Sequence, residues 1–402
     1  MADRARYVVI GSGAAGTRAA ETLRRRDRDA RIVVVAEDPH PFYNRTLLSK
    51  EFLKDDRVAP ADLILKPADA YAAQGIELRA GARVVRLDPG AHTIELSGGG
   101  RLGYGTCLVA SGARPLTLPV PGTELPGVHF LRTLDDALAL RSAAGRARRV
   151  VVVGGGLIGV EVSAALAGRG TRCALIAREP WLFGHVAPEP VGRALESILR
   201  RGGVDLILET TVSSIDLASP ASGGGPRLAV RTTGGRRLDA DLVPIGVGVR
   251  PDAGFLEGTG VLVKGGAVAV DERARSRAPG LYAAGDVAAY VDPVLGARHR
   301  VEHWLHAQHH GRLAGLNMTG GDEAYARVSS YDTELFGVPV AVTGAPDLAE
   351  EWTERGSLRD TEGVACGLRG GRVVAVYRIG KASDPGAIAR MIETGVPIEG
   401  AP

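Results

Sequence analysis

Hydrophobic residues in this chain arrive as short unbroken runs, each ended by glycine. "YVVIG" at 7–11 leads into "SGAAGTRAAETLRRR", where apolar and small residues fall into helical spacing, and a second run, "IVVVA", follows at 32–36. A continuous apolar run bounded by glycine predicts a strand buried on both faces, as in a parallel sheet. The opening therefore reads strand, glycine loop, helix, strand. The plan returns at 149–177, "RVVVVGGGLIGVEVSAALAGRGTRCALIA", with a strand at 149–153, a helix to about 168 and a strand at 173–177. Two such units far apart in one chain are an internal duplication rather than a solenoid.

Between and after the units the period shortens to that of small β-structure: "GIELRAGARVVRLDPGAHTIEL", "LGYGTCLVASGARP", then "GVDLILETTVSSIDL", "RLAVRTT" and "ADLVPIGVGVRP". Proline-rich 114–124 and the stretch near 240–250 read as linkers, and "SPASGGGP" at 219–226 as an exposed hairpin tip. "GLYAAGDVAAY" at 280–290 is a strand ending in Gly-Asp. A histidine-rich helical segment follows it. The last ~80 residues mix strands with one helix at 385–394 and read as a small α+β domain.

Composition narrows the function classes. The 402 residues are 45% hydrophobic and 24% charged, with 55 glycines and only 4% aromatics, which suits an α/β protein with many tight strand-to-helix turns. A net charge of +3 is too mild to imply nucleic acid. The run Arg24, Arg25, Arg26 falls where the first helix should end, and there it complements the helix dipole. Cys107, Cys173 and Cys366 form no CxxC or CxxxxC pair, against a local redox disulfide, a zinc ribbon or a ligated iron–sulfur cluster. No signal peptide and no membrane-length apolar run is visible, so a cytoplasmic protein is expected.

The glycine loops carry the chemistry. In each copy the first glycine (Gly11, Gly154) makes the tight turn, the second (Gly13, Gly156) lets backbone approach a pyrophosphate, and the third (Gly16, Gly159) lets the helix pack close. The helix N-terminus then offers free N–H groups to the anion. The first copy ends "VVVAEDP", so Glu37 is placed to accept both hydroxyls of a ribose. The second ends "ALIAREP", and a guanidinium at Arg178 can form paired hydrogen bonds to a 2′-phosphate. The alternative is that Arg178 faces solvent and Glu179 serves the ribose.

Together "IGSGAAG", "YNRTLLSKEFL", "LVASGARP", "FLRTLDDA", "VVVGGGLIGVEVSAAL", "GVGVRPD", "LYAAGDVA" and "RVEHWLHAQHHGRLAGLNMTG" cover nearly the whole chain. On them the chain resembles the flavin- and pyridine-nucleotide-dependent reductases, and within these the ferredoxin reductases of oxygenase systems, with rubredoxin reductases and apoptosis-inducing factors as relatives. The resemblance implies an α/β fold of two Rossmann-like dinucleotide-binding domains, glutathione-reductase-like, plus the small C-terminal α+β domain. The expected divisions are 1–116 and 241–320 for FAD, 117–240 for NAD(P)H and 321–402 for the last domain.

It also implies roles. Gly11, Gly13, Ala15 and Gly16 hold the FAD pyrophosphate and Glu37 its ribose, while Val84 touches the adenine through its backbone. Lys50 sits at the flavin ring with Arg45 on the same wall, and Arg132 reaches the cofactor from the other domain. Asp286 accepts from the ribityl chain, helped by the dipole of a following helix. Trp304 lies by the flavin pyrimidine edge, at the start of a helix beginning near Glu302. Glu161 stands near the nicotinamide, Gly154, Gly156, Gly159, Arg178 and Gly248 belong to the nucleotide site, and Lys50, Glu161 and His303 are the catalytic candidates. His303, His306, His309 and His310 have i, i+3 and i+4 spacings, but no carboxylate or cysteine joins them at metal-ligand spacing, so no metal is expected, and surface or flavin-flanking places suit them.

Disulfide reductases of this fold need a cysteine pair, and their peroxidase relatives need one cysteine in the region that here reads "RTLLSK". Both are missing, so electrons are expected to leave directly from the flavin to an external acceptor. The resemblance implies a ferredoxin, with NADPH favoured as donor through Arg178. Two departures stand out: "ARVSSYDTELFG" at 326–337 replaces an aromatic-rich segment of the family, and Thr46 and Leu47 replace two prolines. Three readings follow: a ferredoxin reductase, with Arg355, Arg359, Arg369, Arg372 and Arg378 available to an acidic carrier; a flavoenzyme acting on a small molecule or quinone; and a redox-sensing interaction protein like the apoptosis-inducing factors. Monomer and homodimer both remain open.

Overall fold

A computed structural model describes residues 3–218, 227–380 and 384–395. The hairpin tip expected at 219–226 lies outside them. The chain divides into two compact units: Met1–Asn44 with Leu63–Arg114 and Arg250–Ser330, and Arg45–Asp62 with Pro115–Val249 and Tyr331–Pro402.

The first unit is built on a seven-stranded sheet. Its path runs Ile76–Ala80, Ile32–Ala36, Arg4–Ile10, Arg101–Val109, Thr93–Leu96, Val84–Asp88, with Leu281–Ala283 also pairing with Arg101–Val109. The strands from Ile76 to Arg101 in that path run parallel, as does Leu281–Ala283. All five residues of Ile32–Ala36 are buried, so the run is apolar without alternation. Each such Val or Ile gains about 1.5–3 kcal/mol on leaving water.

The helix Ala14–Arg26 lies against the helix Trp304–Met318 through small residues. A Cβ on Gly311 would come within 2.1 Å of the Ala15 carbonyl oxygen, and one on Gly315 within 2.9 Å of that of Ala19. The "HHGRLAGL" spacing is therefore a packing code, with two glycines one turn apart admitting the backbone of the fingerprint helix.

The second unit carries a parallel sheet in the order Val128–Phe130, Val243–Ile245, Arg149–Val153, Arg172–Ile176, Val204–Ile207. The strand and helix expected at 149–168 form as Arg149–Val153 and Leu157–Gly168. A three-stranded antiparallel sheet, Val212–Leu217, Leu228–Thr232 and Arg237–Ala240, is attached. The C-terminal region forms a five-stranded sheet from Ser330–Leu335 to Arg372–Ile379, with a helix at Pro385–Thr394. Leu335, Leu358, Tyr377 and Ile379 from this region share one core with Leu195 and Leu199 of the helix Glu189–Arg201. Residues 45–62 belong to this unit as well, and Leu53 is buried in the same core.

Candidate functional site

The two glycine loops have the same geometry. Gly11 has φ +108° and Gly154 φ +120°, values that only glycine adopts freely, and a Cβ on either would strike a carbonyl oxygen at 2.2 Å. A Cβ on Gly16 or Gly159 would lie 1.8 Å from the carbonyl oxygen of Gly11 or Gly154, so the third glycine lets the helix seat on its own loop. The middle glycines differ from both. Gly13 has nothing within 4 Å of a built Cβ, and Gly156 has only His185 Cε1, at 3.7 Å. Each middle glycine is the N-cap of its helix, with no side-chain cap and no acidic residue in the first turn. Both helix starts thus have room beside the middle glycine and no side-chain cap, the arrangement that takes a diphosphate on the first N–H groups.

In the first unit Glu37 follows the Ile32–Ala36 strand and is 45% exposed. Arg114 Nη2 donates to its Oε2, and Arg83 Nη1 lies 3.9 Å from its Oε1. Arg114 was not among the sequence candidates; only its place in "SGARP" at the end of the 101–109 strand hinted at it. Val84 is buried and opens the strand Val84–Asp88.

Trp304 stacks on Phe42 with ring centroids 5.5 Å apart and planes 3° from parallel. The helix begins at Trp304 with His303 as N-cap, two residues later than the sequence suggested. Burial pushes the His303 imidazole down to about 4, with the Asp286 carboxylate acting the other way. After Asp286 the chain first forms the strand Ala288–Asp292, and the next helix is Trp304–Met318, whose N-cap His303 feels the Asp286 charge. One residue before Asp286, Gly285 N–H donates to His310 Nδ1 at 3.4 Å. His306 and His310 are not surface residues. Both are buried, their rings 5.0 Å apart, packed against Tyr290 and Tyr325 at 4.9–5.2 Å.

The second unit holds the other candidates. Glu161 lies on the helix of the second glycine loop and is 5% exposed. Its carboxylate accepts a hydrogen bond from Ser49 Oγ, and Lys50 Nζ stands 3.6 Å from Oε1. Lys50 Nζ also donates to the Asp332 carbonyl at 2.8 Å. Burial pushes the Glu161 carboxyl up, and Lys50 and Ser49 act against that. Lys50 and Glu161, 111 positions apart in sequence, thus form one ion pair. Ser49 was not foreseen, although it is the neighbour of Lys50.

Arg45 lies in the short turn Arg45–Leu47, and Arg132 N–H donates to Asp136 at 3.0 Å beside the capping box of the helix Leu134–Ala144. Gly248 takes φ +105° and its carbonyl accepts from Leu116 N–H. Arg178 is 75% exposed just past the strand Arg172–Ile176, and it pairs with Glu179 at 2.9 Å. Ala177, one residue earlier, is buried.

The sequence profile of the pyridine nucleotide-disulphide oxidoreductases matches residues 5–311. The chain belongs to that family. The ferredoxin–NAD(+) reductase component of the anthranilate 1,2-dioxygenase system of Burkholderia cepacia is 33% identical, over 97% of this chain and 94% of that protein. Rhodocoxin reductase of Rhodococcus erythropolis is 32% identical, over 97% and 90%. The reductase of the covalent putidaredoxin reductase–putidaredoxin complex superposes with a TM-score of 0.89 at 27% identity, covering 98% of this chain and 94% of that one. The protein is accordingly an NAD(P)H-dependent oxidoreductase with the two-dinucleotide-domain fold, using FAD and a nicotinamide nucleotide.

Its family name notwithstanding, the chain carries no dithiol. Cys107, Cys173 and Cys366 are all free and buried, and burial pushes each thiol up, Cys173 to about 12. None is a thiolate at neutral pH. Among the described residues no helix is long and apolar enough to cross a membrane.

Proposed function

We propose that the protein takes reducing equivalents from NADPH and delivers them to an acidic ferredoxin serving an oxygenase. The carrying observation is the combination of two nucleotide cradles with three isolated, buried thiols. With no dithiol to relay electrons, the acceptor must meet the flavin directly. FAD, when bound, accepts a hydride and releases electrons singly, so one nicotinamide turnover serves two one-electron carriers and leaves one proton. In this reading Gly11, Gly13, Ala15 and Gly16 hold the flavin pyrophosphate, and Glu37 accepts from its ribose with Arg114 orienting the carboxylate. Val84, Asp286, His303 and Trp304 complete that cradle. Gly154, Gly156, Gly159 and Gly248 serve the nicotinamide nucleotide, Arg178 its 2′-phosphate, and Lys50 and Glu161 set the charge at the reacting end, with Arg45 and Arg132 flanking them.

The relatives' names support the ferredoxin, and so does a surface of the first unit. Leu305 is 45% exposed, and His309 and Arg312 follow it at i+4 and i+7 on the same helix face. The charges of Arg327 and Arg312 both reach the His309 ring. Burial and those two charges push the His309 imidazole down, so the positive charge is that of Arg312 and Arg327. An apolar contact beside two exposed arginines fits the acidic rim of an iron–sulfur carrier. The test is steady-state cytochrome c reduction with NADPH and with NADH, with and without an added [2Fe–2S] ferredoxin. Strong dependence on the ferredoxin is expected. Turnover that is indifferent to it, with quinone or another small acceptor reduced instead, would move the assignment to small-molecule reduction.

A further inference from the structure

Lys50 is reached by a chain segment that the second nucleotide unit holds at several points. Arg169, the C-cap of the helix Leu157–Gly168, donates through Nη1 to the Leu53 carbonyl at 2.9 Å. It also forms a bidentate pair with Asp56, at 2.9 and 2.7 Å. Arg141, on the helix Leu134–Ala144, donates to the Val58 carbonyl at 2.7 Å and sits over Phe52, its Cζ 3.7 Å from the ring centroid. Phe52 and Leu53 are fully buried. At the other end of the same helix, Glu161 takes Ser49 and Lys50. Glu161 and Arg169 are eight residues apart, about 12 Å along a helix. One helix therefore grips the 49–56 stretch at two places and presents its N-terminus, capped by Gly156, to the nucleotide.

We propose that Arg169, supported by Arg141, is a positioning residue for Lys50: the clamp on Leu53 and Asp56 indexes the lysine to the same helix that cradles the nicotinamide nucleotide. The inference rests on the reading above that Lys50 sets charge at the reacting end. Neither arginine touches that end; each acts through the segment it holds. Arg169 supplies three donor contacts in a fixed fork to one carbonyl and one carboxylate, a geometry that a lysine reproduces only in part. The clamp leaves the glycine loop alone, so its loss should change the rate of hydride transfer and not the binding of the nucleotide.

The chain has five lysines, Lys50, Lys54, Lys66, Lys264 and Lys381, so acylation can be read site by site. The experiment is limited acetylation of the holoenzyme with an N-hydroxysuccinimide ester, with peptide mass spectrometry and exposed Lys264 as internal standard. Arg169→Met, Arg169→Lys, Asp56→Asn and Arg141→Met are compared after flavin content confirms folding. Arg169→Met should raise Lys50 acetylation severalfold, Asp56→Asn less, and Arg169→Lys should restore part of the protection. In stopped flow, Arg169→Met should slow flavin bleaching by NADPH by roughly tenfold or more with KM near that of the parent, because an ångström of misplacement costs up to ~100-fold. Unchanged Lys50 acetylation in both Arg169→Met and Arg141→Met overturns the clamp. Raised acetylation with an unchanged bleaching rate upholds the clamp and overturns instead the role given to Lys50.

Discussion

Arg114 holds Glu37: its Nη2 donates to the Glu37 carboxylate while its Nε lies 2.8 Å from Asp252. The carboxylate proposed for the flavin ribose is thus oriented before any ligand arrives. Glu37→Ala should cost the one or two charge-assisted hydrogen bonds it would make, about 1.5–3 kcal/mol, or roughly ten- to a hundredfold in FAD affinity. Arg114→Met should cost less, since it frees the carboxylate without removing it. Fluorescence titration of apoprotein with FAD measures both; an unchanged affinity in Glu37→Ala would remove Glu37 from the ribose site.

Arg178, exposed next to buried Ala177, is the residue proposed for the 2′-phosphate. Arg178→Ala should raise KM for NADPH by roughly ten- to a hundredfold, the worth of a charge-assisted pair, and leave KM for NADH within about twofold. Parallel KM measurements with the two donors decide it; equal changes for both would place the arginine away from the 2′-phosphate.

The buried histidines make the first unit acid-sensitive. Burial holds His310 near 3 and His306 well below its ordinary 6.5, so both are neutral in the fold. In the unfolded chain each would take up a proton near 6.5. Between that pH and the folded values the unfolded chain binds more protons, so stability is complete above about 6.5 and falls as the pH drops through that window. His306→Phe removes one titrating ring and keeps an aromatic against Tyr290 and Tyr325. The fall in melting temperature between pH 7 and pH 5 should be shallower in this variant than in the parent, even if its melting temperature at pH 7 is lower. Parallel slopes would refute the effect.

The stripe of Leu305, His309 and Arg312 should read out in the acceptor half-reaction only. Arg312→Glu should raise KM for ferredoxin and flatten its dependence on ionic strength, and leave ferricyanide reduction by NADPH unchanged. A variant that loses both activities together would point to damage at the flavin rather than at a docking face.

The glycine loops and their strands were legible because each rests on local physics. A positive φ at Gly11 and a forbidden Cβ at Gly16 leave a mark at fixed spacing in the sequence. Glu37 and Arg178 stand out in the sequence for a similar reason, one and two residues past a strand end. What the sequence hid was long-range. Nothing near position 37 announces Arg114 or Arg83, and nothing in "LLSKEFL" says that residues 45–62 join the second unit, because the deciding contacts, Arg169 with Asp56 and Arg141 with Phe52, are separated by more than eighty residues. The histidines misled through spacing: i and i+4 on a helix fit a surface, a ligand set or a core equally, and only the tyrosines from other segments show that His306 and His310 are core.

The membership of residues 45–62 bears on how this enzyme can be recombined. An exchange of 115–249 with a relative, made to change the nicotinamide donor, would import a foreign residue at 141 and at 169 while keeping the native loop that those positions grip. The module that moves intact is discontinuous. A graft carrying 45–62 along with 115–249 keeps lysine, glutamate and clamp from one parent, and should yield active hybrids more often than the contiguous cut.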